Sequence, residues 1–231
     1  MSQQVFRTTE WTWKEFTLLL VLALAAVPVI IENSFYSYVY GYLQDSLLAG
    51  TLTGLAIALF LTAGVYVVAI RPHKLSWRDI GLRSFSPRYW IHIFGGTIAL
   101  IAASILILLL MSELGIGAEN QKTKALESSP AQTAVLIGFV SAAVISPIYE
   151  EIFYRGFIYK WIRMKWGISA GILISSIIFT IVHIPTYNTL PVNFVSGVIF
   201  AWVYEKSGSV WPGIIIHALF NGIAVALTAA G

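Results

Sequence analysis

Residues 149–156 read YEEIFYRG, and they lie inside a long apolar stretch, 132–163. Glu150, Glu151 and Arg155 put three charges within six positions of a chain that otherwise avoids charge: 11% of its 231 residues are charged and 58% are hydrophobic. A soluble domain carries about 25% charged residues. A carboxylate at mid-membrane costs about 2.5–3.5 kcal/mol even on lenient insertion scales, so such residues face a bundle interior or a wet cavity and pair with one another. The stretch therefore predicts an all-α fold, a polytopic transmembrane helical bundle with charges turned inward.

Working outward, seven spans are expected, at 16–31, 46–70, 89–112, 132–163, 168–186, 190–204 and 210–229. Each is set by an apolar run approaching the ~20 residues that cross a bilayer. The stretch after the first span, with Phe35, Tyr36, Tyr38, Tyr40 and Tyr42, reads as an interfacial aromatic loop. The polar loop is 113–131. No internal repeat stands out, so residues 1–231 form one membrane domain, with N-terminal helices in 1–129 and a helical core in 130–231. Ala23-Leu24-Ala25 fits a signal-cleavage site. The preceding region carries Glu10 and Glu15, however, and the apolar run continues to Ile31, so no cleavage is expected.

The chain contains no cysteine, which excludes disulfides, thiol nucleophiles and thiolate metal sites. Its pI near 9.1 is topological in origin and does not indicate nucleic-acid binding. With the N-terminus inside, Arg7, Lys14, Arg71, Lys74, Arg78, Arg83, Arg88, Lys160, Arg163, Lys165 and Lys206 all fall on the cytoplasmic side. Lys122 and Lys124 fall outside. That bias orients the chain by the positive-inside rule.

Five ionisable residues lie within spans: Glu150, Glu151, Arg155, His183 and His217. His92 lies near the start of a span. Glu151 and Arg155 are four apart and stack on one helix face as an ion pair. Glu150 points about 100° away from Glu151 and is left free to face something else. The midpoint between Glu150 and His183 falls on Trp166–Gly167, and glycine ends helices well. A hairpin turning there brings Glu150 and His183 to one height. His217 and Asn221, also four apart, reach a similar level from the last span. Pro147 removes a backbone hydrogen bond one turn before Glu150 and predicts an irregular helix there. The pairs Gly197/Ala201 and Gly171/Ser175 read as close packing surfaces.

A carboxylate beside a histidine can deprotonate a water. A histidine–asparagine pair can donate hydrogen bonds to an oxyanion. Together these suffice for amide hydrolysis. Two histidines and a glutamate could instead hold zinc, although H-E-x-x-H is absent. A proton relay in a transporter is a third use of such groups.

EEIFYRG (150–156) resembles the EExxxR motif of the CAAX-type intramembrane endopeptidases, the CPBP or Abi family. FTIVH (179–183) resembles its FxxxH motif, and HALFN (217–221) its third motif. The likeness covers about residues 130–225, in the family's order. It implies an intramembrane protease of seven to eight helices in a bacterial-type cell membrane, acting on a membrane-associated protein or peptide. By that resemblance Glu150 and His183 activate the water, Glu151 and Arg155 support the site, and His217 with Asn221 forms the oxyanion hole. It implies no metal, with Zn²⁺ as the alternative, and leaves a non-enzymatic scaffold or bacteriocin-immunity role open.

Overall fold

The computed structural model describes residues 6, 10–117, 119–120, 123–124 and 132–230. Arg7 and Lys122, used in the charge count, and much of the 113–131 loop lie outside the described residues. The described chain is an all-helical membrane bundle. We label its helices α1 (Trp13–Leu43), α2 (Ser46–Ile70), α3 (Pro87–Glu113), α4 (132–166), α5 (168–181), α6 (Leu190–Ser207) and α7 (Trp211–Ala230).

Five helical stretches are long and apolar enough to cross a membrane: α1, α2, α3, Val135–Ile181 and α7. The fourth holds two helices, because Gly167 (φ 86°, ψ 179°) interrupts it. This is the hairpin expected at Trp166–Gly167, and the positive φ explains why glycine stands there. The two arms pack closely: a Cβ on Gly171 would lie 2.9 Å from Arg163 Cβ. Further along, the Tyr154 and Phe179 rings meet edge to face at 5.2 Å. That pairing is symmetric about the turn, so the register places Glu150 and His183 at one level. α6 carries Asn193, Ser196, Glu205 and Lys206 and is not among the five.

Two boundaries differ from the sequence reading. The first helix does not end at Ile31 but runs on to Leu43, so the aromatic stretch is helical. Pro28 cannot donate and would clash with the carbonyl one turn back. The chain passes it in wide π-type turns over Leu22–Phe35 and resumes α geometry at Tyr36. The fifth span ends at Ile181, not 186, because the residue before Pro185 disfavours helical backbone.

α4 shows the irregularity expected near Pro147. It is π-type over Val140–Ile145, α-helical over Ser146–Glu150, and π-type again over Glu151–Tyr159. Such bulges cluster at functional sites. The core around this helix joins Phe16, Leu19, Val27 and Leu61 to Phe153, Phe157 and Trp161.

Basic residues of several helices gather at one end, where side chains cross-link neighbouring segments. Lys160 donates to Asp79 O at 2.6 Å, Arg83 to Gly208 O at 3.0 Å, and Trp161 to Thr12 O at 3.0 Å. Asp79 in this cap is held below its ordinary pKa, chiefly by the Ser76 hydroxyl. Gly197 meets Ser176 backbone to backbone, a Cβ there lying 3.0 Å from Ser176 Cα. Gly197→Val should lower stability by about 1–3 kcal/mol through overpacking, read as a lower Tm in detergent. Gly95→Ala is the control, since nothing lies within 4 Å of its Cβ, and it should leave Tm unchanged or slightly raised.

Candidate active site

The site is built where α4, α5, α6 and α7 converge. Glu151 is fully buried, and its Oε1 accepts from Arg155 Nη1 at 2.9 Å. This is the expected i, i+4 pair, preserved although the segment is π-type. Arg155 Nη2 also donates to Gly197 O at 3.3 Å. Its guanidinium lies over the Phe179 and Phe200 rings, 4.4 and 5.0 Å from their centroids. Desolvated cation–π contacts of this kind contribute about 2 kcal/mol. The arginine thus ties α4 to α5 and α6.

Glu151 reaches α7 as well. Its Oε1 lies 3.4 Å from His217 Nδ1. A Cβ on Gly213 would come within 2.8 Å of Glu151 Oε2, so only glycine admits the carboxylate there. Gly213 lies in the first turn of α7, whose positive dipole end favours an anion.

Glu150 is buried, 7% exposed. Its Oε1 accepts from the Ser146 hydroxyl, and its Oε2 lies 3.8 Å from His217 Nε2. His217 therefore stands between the two carboxylates, one at each ring nitrogen. Its ring stacks on Phe200 at 4.8 Å and meets Phe179 edge-on at 6.2 Å. The sequence had set Glu150 toward His183 and His217 toward Asn221. The geometry makes Glu150–His217 a close pair.

His183 is not within a helix, as the span 168–186 had implied, but in the turn just after α5. Its Nδ1 lies 2.7 Å from Phe179 O. A carbonyl only accepts, so Nδ1 carries the proton and Nε2 is the acceptor of the neutral ring. The half-exposed ring packs against Phe179 at 4.8 Å. Asn221 donates through Nδ2 to Ala142 O at 2.8 Å, which commits one of its two amide protons to the backbone of α4. His92 lies apart, against Tyr89 and Trp202.

Phe179 is the hub of this arrangement, touching Tyr154, Arg155, His183, Phe200 and His217. Phe200, Gly213 and Ser146 were not singled out from the sequence. Phe200 is one apolar residue among many in α6, and only the folded neighbour reveals its face. Ser146 could have been found, since it stands four residues before Glu150.

The bundle turns carboxylates and histidines inward, an arrangement that several kinds of membrane protein use. Comparison with known proteins sharpens this: residues 132–223 match the family described as Type II CAAX prenyl endopeptidase Rce1-like. The resemblance read from the three motifs is thereby borne out, and all six site residues fall within the match. YdiL of Bacillus subtilis (strain 168) is 32% identical over 111 residues, covering 48% of this chain and 44% of YdiL. The chain thus spans less than half the length of that relative. The Membrane-embedded CAAX protease MroQ of Staphylococcus aureus (strain USA300) is 27% identical over 179 residues, 73% of this chain and 71% of MroQ. UPF0177 protein YxdF of Lactococcus lactis subsp. lactis (strain IL1403) is 25% identical over 171 residues, 72% of this chain and 94% of YxdF. No solved structure matches.

Removing Arg155 strands a buried carboxylate, so Arg155→Met should destabilise the protein by about 3–5 kcal/mol. The double change Glu151→Leu with Arg155→Met should recover most of that loss, because it removes both desolvated charges. Thermal melts of the two variants in detergent check this.

Proposed function

We propose that the protein is an intramembrane endopeptidase in which Glu150 and His183 activate a water for attack on a peptide bond. The observation that carries the reading is the buried Glu150 carboxylate set 3.8 Å from His217 on a facing helix, inside the segment that matches the endopeptidase family. A family of proteases implies a peptide or protein substrate, and the bundle implies that the substrate is membrane-associated.

The chemistry follows from the groups present. Glu150 takes a proton from water as the oxygen attacks the scissile carbonyl carbon. His183 accepts a hydrogen bond from that water through Nε2 and orients it, its tautomer fixed by Phe179 O. The carbonyl π electrons move to oxygen, and the resemblance assigns His217 to stabilise that oxyanion. The second amide proton of Asn221 is the further donor that the resemblance assigns to this role. Collapse breaks the C–N bond, and the proton held by Glu150 passes to the departing amine. Glu151 and Arg155 touch no reacting atom: they hold His217 and α4 in place. The reaction so written uses protein groups alone.

The asymmetry of charge supports a cytoplasmic N-terminus. Lys14, Arg71, Arg83, Lys160, Arg163 and Lys206 sit at one end of the bundle, the end that the positive-inside rule assigns to the cytoplasm.

Glu150→Gln should lower kcat by about 10²–10⁴-fold, the usual contribution of a general base, with KM little changed. The assay is cleavage of an internally quenched peptide with a hydrophobic membrane-spanning segment by detergent-solubilised protein. Unchanged cleavage would end the assignment of Glu150. A chelator should leave activity intact; loss on chelation with recovery in Zn²⁺ would replace this chemistry with a metal-bound water. The cysteine-free chain also permits a topology test. A single cysteine at Lys165 should resist a membrane-impermeant maleimide in intact cells, and one at Glu119 should react.

A further inference from the structure

Ser146 lies on the turn of α4 before Glu150. A serine inside a helix ordinarily bonds back to the carbonyl four residues earlier. For Ser146 that is Ala142 O, which accepts from Asn221 Nδ2 on α7 at 2.8 Å. The Ser146 hydroxyl turns the other way and donates to Glu150 Oε1.

The backbone makes this meeting possible. Ser146–Glu150 is a five-residue α-helical segment between two π-type stretches. Residues four apart share a face in α geometry, so Ser146 and Glu150 lie one above the other. Pro147 stands at the start of that segment, where its fixed φ suits a first helical turn. The Tyr149 hydroxyl lies 3.4 Å from Ser146 Oγ. With Oε1 taken by Ser146, Oε2 is the oxygen that faces His217, 3.8 Å from its Nε2.

We propose that Ser146 is a positioning residue for the hydrolysis: its hydroxyl holds the Glu150 carboxylate in the orientation that presents Oε2 to the site. The proposal rests on the reading of Glu150 as the base. It asks Ser146 to act only through Glu150, so the effect belongs to kcat and not to substrate binding.

Threonine and valine share one shape and differ in the hydroxyl, which makes them the informative pair. With the full-length protein and the quenched peptide above, Ser146→Val and Ser146→Ala should each lower kcat about 10–100-fold, as expected for a lost hydrogen bond to a charged group. KM and Tm should stay within twofold and a few degrees of wild type. Ser146→Thr should restore most of kcat. Val and Thr variants of equal kcat would overturn the proposal, as would a loss confined to KM. If Glu150→Gln abolishes cleavage while Ser146→Val leaves kcat unchanged, Ser146 alone is refuted. If Glu150→Gln cleaves normally, the reading of Glu150 fails and takes Ser146 with it.

Discussion

The buried pair of Glu151 and Arg155 is the constraint around which the rest is arranged. Two charges inside a membrane bundle cost several kcal/mol each to desolvate. Their mutual hydrogen bond at 2.9 Å offsets part of that. The remainder is met by other helices: the Gly197 carbonyl from α6, the ring faces of Phe179 and Phe200, and the first turn of α7 at Gly213. Each of these requires its helix at a defined distance and rotation. The pair therefore fixes how α4, α5, α6 and α7 meet, and those four helices carry every candidate catalytic group.

The same logic explains the glycines at the contacts. Gly197 lets α6 touch α5, and Gly213 lets α7 approach a carboxylate. Without a strong hydrophobic drive between helices in lipid, close approach and interhelical hydrogen bonds supply the association. The unusual backbone of α4 belongs to this picture. Irregular helix is tolerated at membrane depth where protein surrounds it, and α4 is buried on nearly all sides from Glu150 to Ile162.

His217 gains its character from this setting. A carboxylate faces each ring nitrogen and Phe200 stacks against the ring. The oxyanion role proposed for His217 calls for a donor already in place. His183 lies in a turn at the end of α5 and is partly buried, and its hydrogen bond to Phe179 fixes which nitrogen can accept a proton. The proposed roles divide along that line, charge stabilisation at the more buried His217 and water activation at His183.

Much of this was legible in the chain. Long apolar runs determined the helical membrane fold, because lipid leaves backbone groups no partner but each other. The four-residue spacing of Glu151 and Arg155 determined their pairing. The position of Gly167 midway between Glu150 and His183 determined the hairpin and its register. What the chain did not disclose is which groups face each other across helices. Helix rotation about its own axis is set by packing, and π-type turns in α1 and α4 shift every face downstream of them. That is why His217 meets Glu150, why Asn221 is bound to the backbone of α4, and why Ser146 points at a carboxylate. Those pairings belong to the tertiary structure, where the cost of burying charge selects one arrangement of four helices.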